Sequence, residues 1–362
     1  MNNFKEIIVE LHKLPRISDK AVDAFHHSLP RIVFLVNEKF VVDNKFCCIK
    51  SVAAQMELLG NIQKKFGDTL RAAYRFHLYE ALIEEFGWLI STLHYRGIAE
   101  ECFAKMIGTW LMTIHGIVEP TFSRELVTPL QILERNLPIF IKQAEVNLGP
   151  EDEKQDKLLH LLLKKKRREA ADYVMSLAKM GGHPDDLCVE LLAPVLKKIG
   201  LLWQRNEISA ADEHVVTELC RYIMFRLYDS VPIKQTLPYK ALVSCVPGEE
   251  HALGAEMVAN YLADKGWTVY FLGHSSPEND LVEALTNYQP DSIFLSISLI
   301  SNLPVTFELL KKVRKIVPAI KIIIGGNAIS KTREIFADLV DATVEDIRDL
   351  YKTSIKLLGK NA

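Results

Sequence analysis

A chain of 362 residues is too long for one ordinary core and predicts two or three domains. Hydrophobic residues at 49% and charged residues at 25% exclude disorder as the main theme. With 44 Lys+Arg against 46 Asp+Glu the formal charge is -2, which excludes a global field for nucleic acid or anionic membrane.

The opening stretch MNNFKEIIVELHKLPR has no charged start, apolar stretch and cleavage site of the signal-peptide kind. Nor does any apolar run reach the roughly 18 residues of a membrane helix. Six cysteines without a CxxC pair read as free thiols, and the adjacent Cys47 and Cys48 would make a strained disulfide with each other. These features predict a cytoplasmic protein.

Up to about residue 147 the pattern is helical. Phe76, Tyr79, Leu82, Ile83, Phe86, Leu89, Ile90 and Leu93 recur at three and four, and Gly97 stops the run. A second helix is predicted over Ile98–Ile117 and ended by Pro120, and a third over 125–147. Gly149-Pro150 and the polar run Glu151 to Lys157 then mark a boundary. Shorter helices follow near 157–163, 167–180, 185–202 and 210–229, enough for a small four-helix bundle. The basic run Lys164 to Arg168 reads either as a nucleic-acid patch or, more plainly, as a solvated helix face or turn.

After Pro238 strands and helices alternate. Strands are predicted at 240–246, 268–272, 292–298 and 320–324, with a short edge strand at 342–344. Helices are predicted at 278–287, 303–316 and 329–337, with one around Met257 to Leu262 and one ending at Leu358. The alternation predicts a parallel, doubly wound sheet, whose ligands lie beyond the carboxyl ends of the strands. The resulting architecture is an all-helical domain over 1–150, a four-helix bundle over 151–232 and a Rossmann-like, flavodoxin-like sheet domain over 237–362.

The first strand ends in Pro247-Gly248-Glu249-Glu250-His251-Ala252-Leu253-Gly254, where a dinucleotide fold would need G-x-G-x-x-G. A neutral imidazole at this edge can ligate a metal, and a carboxylate two residues earlier can hold its other ring nitrogen. The plainer reading is an exposed loop histidine beside two acids. Further back, Trp203 is followed after nine residues by Glu213-His214, with the tryptophan ending one helix and the pair opening the next. Here too, core filler and helix surface are the plainer alternatives.

Taken together, residues 157–358 resemble the cobalamin-binding module of the adenosylcobalamin-dependent photoreceptors of the CarH and LitR type. The family motif E/D-x-H-x-x-G matches Glu249, His251 and Gly254. The resemblance implies that His251 is the lower ligand of cobalt, that Glu249 orients it and that Gly254 admits the nucleotide tail. It also implies small residues for that tail at the strand ends, where Gly273, Ser296, Ser298, Gly325 and Gly326 stand. Trp203, Glu213 and His214 match the signature that caps and binds the adenosyl group. Gln204 stands where the light-regulated repressors carry a second histidine, and the N-terminal region lacks a basic recognition helix, so no direct DNA binding is implied.

Residues 89–114 resemble the end of a globin F helix followed by a G helix. Leu93 occupies the position of the haem-ligating histidine, and His94 is one residue, about 100 degrees, away. A globin-like domain beside a cobalamin module resembles the photocobilins, which implies a bilin such as biliverdin as a second chromophore. His77, His94 and His115 are the candidate residues for it, each also explicable as structural. The leading expectation is a non-enzymatic light sensor that forms a homo-oligomer. A corrinoid carrier of a methyltransferase system and a haem or redox globin sensor are the alternatives.

Overall fold

The computed structural model describes residues 4–44, 53–232 and 236–359. Residues 1–147 with 204–207 form one compact unit, and residues 148–203 with 208–362 form a second.

In the first unit the described helices are α1 (Lys5–His12), α2 (Asp19–Asn44), α3 (Ala53–Phe76), α4 (Tyr79–His94), α5 (Glu100–Ile117), α6 (Pro120–Arg135) and α7 (Leu137–Lys142). Their apolar stripes meet around the fully buried Phe25, Tyr74, Phe86, Phe103 and Trp110. Two polar tips in this core are satisfied: Trp110 Nε1 donates to Gln63 Oε1 at 2.6 Å, and Tyr74 Oη donates to the Leu126 carbonyl at 2.7 Å. Gly97 ends the α4 turn at φ +72. Pro120 opens α6 instead of closing α5, because the first turn of a helix does not need its missing N–H. The single helix expected over 125–147 breaks after Arg135. There the Asn136 side chain bonds back to the Ile132 carbonyl, and Pro138 sits in the first turn of α7.

The second unit begins with the bundle: α8 (Glu153–Leu163), α9 (Arg167–Lys179), α10 (Pro184–Leu187), α11 (Ala193–Gln204) and α12 (Ala210–Asp229). Between α10 and α11 a π turn, Cys188–Leu192, keeps the helix continuous. Asp152 caps α8, and a Ser209–Asp212 capping box starts α12. The basic run is consumed locally, with Lys165 on Asp212, Lys166 on Glu169 and Arg167 over the Tyr222 ring.

The sheet follows: β1 (Lys240–Cys245), α13 (Leu253–Asp264), β2 (Thr268–Phe271), α14 (Glu278–Tyr288), β3 (Ser292–Ser296), α15 (Leu303–Ile316), β4 (Lys321–Gly325), β5 (Ala342–Val344) and α16 (Leu350–Leu357). All described strands are parallel, as the alternation predicts, and their order β2-β1-β3-β4-β5 is the flavodoxin-like one. The helix expected over 329–337 is absent. Two 3-10 turns, Ile329–Lys331 and Arg333–Phe336, replace it, because Thr332 leaves the helical region and bonds its hydroxyl to the Ala328 carbonyl. Within this unit Met257 of α13 enters the bundle core, and Arg221 Nε of α12 donates to Glu256 Oε2 of α13 at 2.7 Å.

Cys188, Cys220 and Cys245 are free and buried, and burial pushes each thiol up to about 12. Cys102, in contrast, is disulfide-bonded, which corrects the expectation of six free thiols. No described helix is long and apolar enough to cross a membrane.

Candidate functional site

The site is built at the carboxyl end of β1, beside the crossover where the strand order reverses. Beyond β1 the chain turns at Gly248, φ +80, and drops Glu249 into the interior at 0% exposure. A lone carboxylate there would be costly, so its partners decide the design. Oε2 accepts from the Ser298 N–H at 2.8 Å, the Leu299 N–H at 3.0 Å and Asn302 Nδ2 at 3.1 Å. Oε1 accepts from the His251 N–H at 3.1 Å and lies 2.5 Å from His251 Nδ1. Burial pushes the Glu249 carboxyl up, but the His251 hydrogen bond and charge and the backbone N–H groups outweigh it and hold it at about 2.

An ionised Glu249 makes Nδ1 of His251 the protonated ring nitrogen and leaves Nε2 with its lone pair. The His251 side chain is 57% exposed while its orienting acid is fully buried. That is a pre-aimed nitrogen with its lone pair free at the rim of the sheet, able to ligate a borderline metal.

Three residues beyond His251 lies an apolar cavity of about 270 Å³ between α13, the strand ends and the π turn. Gly254, Ser296, Gly325 and Gly326 all line it. A Cβ on Gly254 would meet only Ser296 Oγ, at 3.8 Å, so its absence widens the cavity. Gly325 and Gly326 answer to the backbone as well: a Cβ would stand 2.7 Å from the Val344 carbonyl oxygen and 2.4 Å from that of Ile297.

Ser298 and Gly273 lie elsewhere. Ser298 turns its N–H to Glu249, past the end of β3, and Gly273, at φ +83, gives its carbonyl to the Cys245 N–H. On the bundle, half-buried Trp203 sits in the last turn of α11 and Glu213 in the first turn of α12. The Glu213 carboxylate is fixed on both oxygens, Oε1 by Thr217 Oγ1 at 2.8 Å and Oε2 by His214 Nδ1 at 2.8 Å. His214 itself is exposed.

Sequence reasoning missed Asn302 and the Leu299 N–H. An asparagine just before α15 reads as a helix cap, yet its side chain makes no cap bond and reaches Glu249 instead. In the first unit Leu93 is buried and His94 exposed, while His115 Nδ1 lies 3.1 Å from Ser123 Oγ. His77 is half-buried in the left-handed region at φ +58, and its Nε2 is buried without a hydrogen-bond partner, as is Tyr79 Oη.

Against known proteins, a B12 binding domain model matches residues 239–347 and a second B12 binding domain model matches residues 154–228. The chain is 30% identical over 141 residues to the HTH-type transcriptional repressor CarH of Myxococcus xanthus, covering 38% of this chain and 46% of that protein. It is 30% identical over 109 residues to the repressor CarA of the same organism, covering 30% of this chain and 36% of that protein. The chain thus spans under half the length of the curated relatives it matches. Among solved structures it is similar to the monomethylamine corrinoid protein of Methanosarcina barkeri, at 15% identity and a TM-score of 0.49 over 57% of this chain and 98% of that one. A cobalamin-binding protein from Desulfitobacterium hafniense DCB-2 matches at 17% identity and a TM-score of 0.31, over 56% of this chain and 98% of that one.

Proposed function

Taking residues 154–228 and 239–347 as a CarH-like B12-binding module, we propose that the chain is a light sensor holding adenosylcobalamin between its bundle and its sheet domain. The observation that carries this reading is His251, an exposed imidazole whose Nδ1 is committed to a buried carboxylate and whose Nε2 is left for a metal. The donor set and the glycine-lined cavity fit a corrinoid with a nucleotide tail: Nε2 for the lower face of cobalt, and Gly254 and Ser296 for the tail. When bound, adenosylcobalamin supplies a cobalt–carbon bond that light breaks.

The residues of the chain do the rest. Glu249 holds the His251 ring and keeps its proton on Nδ1. Glu213, fixed by Thr217 and His214, presents an acceptor for the adenosyl group, and Trp203 offers it a flat apolar cover. Loss of that group would leave the indole uncovered and let the bundle repack, changing an interface between copies of the chain. On this reading the chain acts as a sensor, with these residues holding the cofactor.

A bilin in the first unit completes the reading. His77 Nε2 and Tyr79 Oη, both buried without partners, are groups that a linear tetrapyrrole with its N–H, carbonyl and carboxylate functions can satisfy, and the buried Leu93 removes an iron ligand from the expected place.

The test is an absorbance spectrum of the full chain loaded with adenosylcobalamin and biliverdin, before and after illumination. A corrin spectrum that changes with light and a far-red band are expected. A corrin spectrum bound equally well with a methyl group and indifferent to the identity of residue 213 would favour a corrinoid carrier. His251→Ala should lose affinity or move to the spectrum of unligated cobalt, and an unchanged His251→Ala spectrum would remove the central assignment. Glu213→Ala should bind adenosylcobalamin about tenfold more weakly and hydroxocobalamin as before, since one charge-assisted hydrogen bond is lost.

A further inference from the structure

The cavity beside Gly254 has two walls drawn from different parts of the second unit. The helix through the π turn contributes Val189 and Ala193, and the segment after β5 contributes Asp346 and Ile347. Arg348 joins them. On its own side Asp346 grips it: Oδ1 accepts from the Arg348 N–H at 2.9 Å and from Nε at 3.0 Å, and Oδ2 accepts from Nη2 at 2.6 Å. This two-point contact fixes the plane of the guanidinium. Nη1 is left to cross to the opposite wall, where Glu190 Oε1 accepts at 2.9 Å and Asp186 Oδ1 lies 3.6 Å away. Glu190 is the neighbour in sequence of the wall residue Val189, and the π turn presents it there.

We propose that Arg348 is a clasp across this cavity, a positioning residue that slows entry and exit of a corrinoid's nucleotide tail, and so acts on corrinoids that carry the tail and not on those without one. The corrinoid part of this inference rests on the proposed function; the joining of the walls does not. A bulky group passing between Val189 and Ile347 must part the two walls, which breaks the Nη1 pairs in passing, and the pairs close again behind it. A ligand that stays outside leaves them intact. The pairs are solvent-exposed, with Arg348 at 42% and Glu190 at 66% side-chain exposure, so each is weak and screened by salt. A clasp of that strength opens unaided. Removing the guanidinium does more than delete a bond, because it leaves the carboxylates of Asp186, Glu190 and Asp346 without their shared cation.

Arg348→Gln and Glu190→Gln in the full chain test the clasp by two measurements. In stopped-flow absorbance, cobalamin should leave Arg348→Gln about three- to tenfold faster than the parent chain, with a flattened salt dependence, and Glu190→Gln should fall between them. Cobinamide, the same corrin without its nucleotide tail, should leave all three chains at one rate. Equal acceleration of both corrinoids, or of neither, overturns the proposal. Separately, amide hydrogen exchange over residues 188–193 and 344–348 of the ligand-free chain should quicken severalfold in Arg348→Gln. Unchanged exchange overturns the clasp even if the parent chain binds no corrinoid, the outcome that would overturn the cobalamin reading itself.

Discussion

Glu249 is a charge in the interior whose tolerance depends on two side chains, Asn302 and His251, and on the backbone N–H groups of His251, Ser298 and Leu299. Deleting the Asn302 contact is the cleanest probe. Asn302→Leu keeps the volume, leaves Oε2 with its two backbone donors and removes a charge-assisted bond, so unfolding should become easier by about 1.5–3 kcal/mol. The readout is thermal unfolding, accompanied by looser His251 ligation in the corrin spectrum. The glycines of the cavity separate two roles at the same scale. Gly326→Ala places a Cβ 2.4 Å from the Ile297 carbonyl oxygen at φ +106, and should cost about 1–3 kcal/mol of stability with or without ligand. Gly254→Ala meets only Ser296 Oγ at 3.8 Å, so its melting temperature should hold while its affinity for tailed cobalamin falls and that for cobinamide does not.

At the scale of elements, the β4–β5 edge depends on Asp341. Oδ2 accepts from the Ile322 N–H at 2.8 Å and from Arg314 Nη2 of α15 at 2.5 Å, while Arg314 Nε donates to the Leu339 carbonyl at 2.8 Å. Burial pushes the Asp341 carboxyl up, but Arg314, the Ile322 N–H and Lys321 together hold it below the usual carboxylate range. A carboxyl lowered on folding stabilises above its unfolded value, and that contribution disappears as pH falls through the folded one. The protection of β4 and β5 amides, taken as the ratio of intrinsic to observed exchange, should therefore fall in acid. Asp341→Asn should flatten this pH dependence and cost about 1.5 kcal/mol near neutrality.

The same elements show what a sequence makes legible. Buried parallel strands announce themselves as apolar runs, so Ser292–Ser296 and its neighbours, and α15 from Leu303 to Ile316, stand in the structure where the pattern puts them. The Glu249-His251 pair was legible because both residues lie in one loop. Asn302 was not, because it reaches Glu249 from 53 positions along the chain. The 329–337 stretch has helical composition, and the Thr332 hydroxyl bond to the Ala328 carbonyl, which composition does not display, breaks it into 3-10 turns. Pro120 marks the start of a helix or the end of one with equal plausibility until its neighbours are placed.

For the whole molecule, the division into two compact units predicts two unfolding events in calorimetry. Cobalamin contacts are proposed for residues of the second unit alone, so only one transition should move on loading. With free cobalamin at 100 times its dissociation constant, the shift corresponds to about 2.7 kcal/mol. Biliverdin should move the other transition. A single transition raised by either ligand alone would show that the units unfold as one.

The π turn at Cys188–Leu192 also works as a phase setting. A turn closed by i→i+5 holds one residue more than a turn closed by i→i+4, so it offsets the two halves of the helix by one residue of rotation, about 100 degrees. Pro184 to Leu187 keep one azimuth and Ala193 to Gln204 another. Shortening the chain by one residue within 188–192 would yield a regular helix of better local geometry, and would swing Ala193 out of the cavity wall and Trp203 onto a different face. In this helix an insertion or deletion acts as an angle, and the direction in which the tryptophan looks is encoded about three turns before the tryptophan itself.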